Sequence, residues 1–259
     1  MADLRDKADP RVANKKGEDG YPVDPGSLFP GPGSIRRYLK ASFHPRTAAE
    51  RSNTWRMTAW AYEPLWRRFS TGILTRGAWN LKMECRLVCD MLEPENGSVY
   101  LDVGCSTGVY ARAIAMEKTE SRIVLMDYSL PMLRKARAYT EKLSNQMAYV
   151  QCDAAEMPFP DHSFDGLVMG GTLNELTEPV LVLREMARIL KYGKSVVIMH
   201  LVKHRPRETL VQRMMEKGGV WIAGTDVVDQ MFRESGFTIL DSRMEGIMRL
   251  SLLTPDSAR

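Results

Sequence analysis

No apolar run in the 259-residue chain reaches the roughly 18–20 residues needed to span a bilayer, so no transmembrane segment is expected. Residues Met1 to Asp9 alternate charges, include Asp3, Asp6 and Asp9, and hold no apolar stretch, which speaks against a secretory or organellar leader. Cysteine is scarce: Cys85, Cys89, Cys105 and Cys152 form no CxxC pair, which suits a reduced, cytoplasmic setting. Cys85 and Cys89 lie one helical turn apart without further Cys or His nearby, so they read as core filler. His200 and His204 have a spacing that grips metal on a helix, but they follow a strand, and no metal is expected. The excess of 36 basic over 32 acidic residues is too small to require a nucleic-acid partner. No basic stripe with interleaved aromatics runs through the core, although Arg36, Arg37, Lys40 and Arg46 lie upstream. Internal repeats are absent. What the chain has in excess is methionine, 17 residues.

Composition divides the chain into a polar, Pro- and Gly-rich extension (1–50), an aromatic-rich helical appendage (51–93) and a main domain (94–259). The extension reads as partly disordered, with a short basic helix from Ile35 to Ser42 that is solvated or, alternatively, touches anionic lipid. Trp55, Tyr62, Leu65, Trp66 and Phe69 fall at helix-like spacing interrupted by Pro64. They suit a face docked on the main domain, or a lid over an apolar substrate. Asn80 caps a helix to Leu92.

The main domain alternates strand and helix. Strands are expected at 98–103, 121–126, 148–151, 164–169, 195–199, 237–240 and 247–252, and helices at 109–116, 129–143, 179–190 and 225–234. Such alternation means a parallel sheet with helices on both faces.

The chemistry begins after the first of these strands. Leu101-Asp-Val-Gly-Cys-Ser-Thr-Gly108 leaves a buried strand and enters a helix; its glycines let a ligand approach the backbone and the helix N-terminus. It is not the G-x-G-x-x-G dinucleotide fingerprint. Asp127 ends the next strand, where a carboxylate can accept both hydroxyls of a ribose. Asp153 follows the third strand, placed to accept from a purine amino group. Each aspartate alone suits a turn or cap; three at the carboxyl ends of consecutive strands mark one crevice.

These segments resemble the class I S-adenosylmethionine (SAM)-dependent methyltransferases from about Gly77 to Leu253. Leu125-Met-Asp-Tyr-Ser-Leu-Pro-Met-Leu133 resembles their ribose motif, and Asp153 to Asp165 their adenine-side segment. Pro158-Phe-Pro-Asp-His-Ser-Phe-Asp165 is most similar to the ubiquinone/menaquinone-biosynthesis group and its small-molecule relatives. Ser106 stands where glycine is commonest, and Tyr192 and Lys194 replace the usual Pro and Gly.

The resemblance implies a Rossmann-like, doubly wound α/β fold, with a mostly parallel seven-stranded sheet and an antiparallel last strand, and SAM as cofactor. It puts Asp102 and Gly104 near the methionine amine, Asp127 on the ribose, and Asp153 with Ala154 at the adenine. Cys105, Ser106, Gly108, Tyr128 and Met132 join them as cofactor contacts. Gly170, counted with the cofactor, and Gly171, Thr172 and Asn174, counted with the substrate, face the methyl group and acceptor.

Methyl transfer needs alignment and a dry pocket more than acid–base help. Should a base be needed, His200 is the best-placed titratable group; the alternative is a structurally satisfied histidine. Residues 205–224, with Met214, Met215 and Trp221, suit a roof over an apolar acceptor, or simple packing on the sheet. The expected function is therefore methylation of a small, largely apolar acceptor, quinone-like or lipid-like. An RNA or protein methyltransferase, and a SAM-binding protein that does not methylate, are the alternatives.

Overall fold

Strand β2 (Val99–Val103) is buried at every position, the pattern of a strand covered by helices on both faces. The computed structural model, which describes residues 23–29, 35–40, 43–45, 51, 63, 67–203 and 210–256, places it at the centre of a nine-stranded sheet. β3 (Arg122–Asp127) and β4 (Gln146–Gln151) extend the sheet to one side, and β5 (Phe164–Gly170) and β6 (Leu190–Lys203) to the other, all parallel. β9 (Met248–Pro255) inserts antiparallel between β6 and β8 (Phe237–Glu245). These are the seven expected strands, with the last one antiparallel. The fold is Rossmann-like and doubly wound.

The two additional strands are short. β7 (Ala223–Gly224) pairs with β6. β1 (Ile35–Arg37) pairs parallel to β4 at the sheet edge, where a basic helix was expected. Ile35 is fully buried, and the open edge of β4 supplies backbone partners that a solvated helix would forgo. Trp55, Trp60, Tyr62, Leu65, Trp66 and His204 lie outside the described residues; of that aromatic region, Trp79 is buried and Phe69 exposed.

Alternation along the strands sorts the core into two layers. Leu101, Val103, Val124 and Met126 pack on one face, beneath α5 (Pro179–Ile189) and α7 (Thr225–Glu234). Tyr100, Ile123 and Leu125 pack on the other, beneath α2 (Leu81–Leu92), α3 (Val109–Glu117) and α4 (Leu130–Thr140). Asn80 caps α2 as expected, its side chain accepting from the Met83 amide at 2.9 Å. At α7 the cap is Gly224, and Thr225 is the first helical residue. α1 (Arg68–Leu74) precedes α2, and α6 (Leu210–Lys217) lies between β6 and β7. No helix among the described residues is long and apolar enough to cross a membrane.

Strand order reverses around β2, whose neighbours are β3 and β5. The carboxyl ends of these strands therefore border the crevice in which open α/β sheets bind ligands.

Candidate functional site

The chain turns sharply as it leaves β2. Gly104 has φ +63, and a Cβ there would lie 2.4 Å from Thr172 Oγ1, so only glycine lets this turn approach the one after β5. The Cys105 amide donates to the Met126 carbonyl at 2.9 Å, stitching the turn to β3. Ser106 then adopts φ +47, which costs a non-glycine residue on the order of 1 kcal/mol. Its amide is held there by Asp127 Oδ2 at 2.8 Å. Gly108 caps α3 at φ +75, where a Cβ would meet the Leu125 side chain at 2.7 Å; its task is close packing.

Asp127 and Asp102 are buried carboxylates, and among the described residues neither forms an ion pair. Asp127 Oδ1 also accepts from the Ser129 amide at 2.8 Å. Burial pushes its carboxyl up to about 6, against the pull of the Ser129 and Ser106 amides. Asp102 Oδ2 accepts from the Ala111 amide at 3.1 Å. Burial raises it to about 7, opposed by that amide and reinforced by the charge of Asp127. Asp153, just beyond β4, has Oδ1 accepting from the Ala155 amide at 2.9 Å.

These groups share one cleft. Gly104, Ser106, Asp127, Tyr128, Asp153, Ala154 and Thr172 line it together with apolar Phe43, Met126, Met132, Cys152 and Leu176. A smaller cavity adjoins it through Gly104 and Ser106, and brings Asp102, Cys105 and Gly170 together with Arg67 and Tyr110. A Cβ at Gly170 would lie 2.7 Å from the Tyr110 ring, so backbone alone fits there.

Behind Tyr110 lies a second polar centre. Arg67 pairs with Glu84 at 2.5 Å, both side chains nearly inaccessible. Thr71 and Tyr110 hydroxyls also donate to Glu84. Burial would raise the Glu84 carboxyl, but the Arg67 guanidinium and the two hydroxyl donors outweigh it and hold it below the usual range.

Residues 101–198 match a family profile described as a methyltransferase domain. A class I methyltransferase domain spans this segment. The chain is 33% identical over 137 residues to a demethylmenaquinone methyltransferase of Roseiflexus castenholzii, covering 52% of this chain and 53% of that protein. A demethylmenaquinone methyltransferase of Roseiflexus sp. RS-1 is 30% identical over 167 residues, 64% of this chain and 65% of that one. Across the curated relatives the chain typically spans about half of their length. The fold is also that of the putative methyltransferase solved in complex with a Haloferax volcanii Trm112 activator, with TM-score 0.63, 18% identity, and 79% and 96% of the two chains covered.

The cofactor of the methyltransferase domain is SAM, and the donor set fits it. Two buried carboxylates without an ion-pair partner, glycines whose Cβ positions are filled by Thr172 and Tyr110, and an apolar slot at Met126 and Met132 suit a cationic amino acid joined to a nucleoside.

Of the substrate-side candidates the structure brings Thr172 to the cleft. Gly171 turns beside it at φ +79, its amide donating to the Met199 carbonyl at 3.0 Å. Asn174 is turned into the protein: its Nδ2 donates to the carbonyls of Leu201 and Trp221, and its Oδ1 accepts from the Leu201 amide. It fastens the β5 turn to β6 and to the approach to β7. Trp221, tied to it by backbone and packed against the core, lines neither cavity.

His200 is not at the cleft either. Its ring is fully buried, with Nε2 2.9 Å from Ser251 Oγ and its face set edge-on to Phe232 of α7. Burial, then the charge of Arg249, lowers it to about 3, so it stays neutral at physiological pH. It is a structural histidine rather than a base. Strand alternation explains the error: Met199 packs with the α2–α4 layer, and His200 faces α7.

Sequence reasoning missed Phe43, Cys152, Arg67 and Tyr110. Cys152 adjoins Asp153, and alternation at the end of β4 offered a signal for it. Tyr110 stands in the first turn of α3, as the α3 N-terminus argument could have shown. Phe43 and Arg67 sit in segments without a motif.

Proposed function

We propose that this chain transfers the methyl group of SAM to a small, largely apolar acceptor of the quinone or lipid class, in the cytoplasm. The observation that carries the reading is the convergence of Asp102, Asp127 and Asp153 on one cleft system beside the Gly104 turn. In it, Asp127 accepts from the ribose hydroxyls while keeping its bonds to the Ser106 and Ser129 amides, since each carboxylate oxygen has two lone pairs. Asp102 faces the methionine ammonium, and Arg67, in the same cavity and charge-balanced by Glu84, offers a cation to the methionine carboxylate. Asp153 and Ala154 bound the purine end.

When bound, SAM supplies a sulfonium methyl with a neutral leaving group. The protein contributes alignment and exclusion of water. Gly170 and Thr172, with Gly171 turning between them, border the space in which an acceptor must align with that methyl, Gly170 and Thr172 lining the cavities themselves. With His200 enclosed, no base is assigned. The demethylmenaquinone methyltransferases similar to this chain favour a quinone-like acceptor.

Incubating the protein with methyl-labelled SAM and separate lipid, RNA and protein fractions tests the reading. Label is expected in the lipid fraction. Label confined to RNA or protein would overturn the acceptor class, and binding without transfer to any fraction would overturn the activity.

A further inference from the structure

Phe43 lies outside every motif, yet it forms part of the cleft wall beside Asp127, Asp153 and Ala154. It is carried by a strap whose described parts are residues 35–40 and 43–45. The strap is fastened to the edge of β4 by three register positions, Ile35 with Tyr149, Arg36 with Val150 and Arg37 with Gln151, and by the Tyr38 amide donating to the Gln151 carbonyl at 2.7 Å. Gln151 links it to the ribose loop: Arg37 Nε donates to Gln151 Oε1 at 2.8 Å, and Gln151 Nε2 donates to the Tyr128 carbonyl at 2.9 Å. Lys40 pairs with Glu156 at 2.6 Å, but both are more than half exposed and the pair adds little.

The Phe43 ring centroid is 5.4 Å from that of Tyr128, the residue after Asp127, with the planes tilted by 43°. The same ring bounds a second cavity of about 410 Å³, which Tyr38, Lys40, His44 and Glu178 also line. Phe43, together with Asp153 and Leu176, thus borders both this cavity and the purine end of the cleft.

We infer that Phe43 is a specificity residue for the cofactor: its ring covers the purine, and the strap that carries it docks more firmly when the nucleoside is present. The inference rests on the SAM reading above. An aromatic wall is sequence-cheap recognition for a flat base, because every purine presents a π-face. A strand of three residues is marginal by itself, so its docking is open to stabilisation by a ligand that touches Phe43. By reciprocity, whatever the ligand adds to strap docking the docked strap adds to ligand affinity.

Calorimetric titration of the full chain with S-adenosylhomocysteine and with adenosine tests this. Phe43→Ala is expected to weaken both by about ten-fold, and Phe43→Tyr to stay within about two-fold of wild type. In wild type, saturating S-adenosylhomocysteine should slow hydrogen exchange of the Tyr38 amide, and in Phe43→Ala that protection should shrink. Unchanged affinity in Phe43→Ala, or Tyr38 exchange indifferent to a ligand that wild type binds, overturns the inference. Failure of wild type to bind S-adenosylhomocysteine would instead overturn the cofactor reading beneath it.

Discussion

Glu84 and the pair Asp102–Asp127 are buried carboxylates a few residues from one small cavity, yet they sit in opposite electrostatic states. Glu84 has a guanidinium and two hydroxyls, and its carboxyl is held low. Among the described residues Asp102 and Asp127 accept hydrogen bonds from backbone amides alone, the charges of Arg112 and Arg67 offset the burial of Asp102 only in part, and the two carboxyls rise to about 7 and about 6. A protein that can satisfy one buried carboxylate fully can satisfy three. Leaving two short of partners at the carboxyl ends of adjacent strands is what a binding site needs, since the ligand then supplies the missing donors. On the proposed SAM reading, Glu84 serves the fold and, through Arg67, the site, whereas Asp102 and Asp127 serve the site at the expense of the fold.

The largest effect should come from breaking the satisfied centre. Glu84→Ala removes the buried carboxylate that pairs with Arg67 and accepts from the Thr71 and Tyr110 hydroxyls, and breaking a buried pair of this kind costs about 3–5 kcal/mol. For a domain of this size that is a fall in Tm on the order of 10 °C, read by thermal denaturation. Asp127→Ala removes the acceptor of two hydroxyls at about 1–3 kcal/mol each, so affinity for S-adenosylhomocysteine should drop by roughly a hundred-fold or more. Its Tm should move far less than that of Glu84→Ala; an equal fall in Tm would erase the distinction between the two centres.

The pH dependence sharpens the contrast. Binding by ionised Asp102 and Asp127 requires each to lose the proton it holds below about 7 and about 6. Affinity for S-adenosylhomocysteine should therefore be flat above pH 8 and fall on the order of a hundred-fold by pH 5.5. Glu84 contributes nothing to this window. Its stabilisation is present above the ordinary carboxylate range and is lost only as pH falls through its lowered value.

The smallest effect is the most diagnostic in sign. Because folding raises the Asp102 carboxyl from 3.8 to about 7, the folded state holds the extra proton, and stability declines as pH rises between those values. Asp102→Asn keeps an acceptor for the Ala111 amide and removes the buried charge. Its unfolding free energy at pH 8 should equal or slightly exceed that of wild type, by up to about 1 kcal/mol, with Tm unchanged or raised, while ligand affinity falls.

Much of this was legible in the residues. Strands β2 to β5 announce themselves as short apolar runs ended or closely followed by Gly or Asp, and the acidic residues at the ends of β2, β3 and β4 place the cleft. The partners of Glu84 were not legible, because Arg67 meets it across two helices and no local period records that meeting. Strand β1 was hidden for a related reason: three residues with one buried side chain carry no pattern, and the edge of β4 decides their conformation. His200 was misplaced by a single step of strand alternation, and Asn174 by reading a buried clamp as an exposed ligand.

The measurement that bears most directly on the two aspartates is a carbon-13 NMR titration of their carboxyl groups, in the free protein and saturated with S-adenosylhomocysteine. In the free protein they should titrate near 7 and near 6, and with ligand bound both should fall into or below the ordinary carboxylate range. Carboxyls that titrate identically in the two states would contradict the assignment of Asp102 and Asp127 as the groups that hold the cofactor.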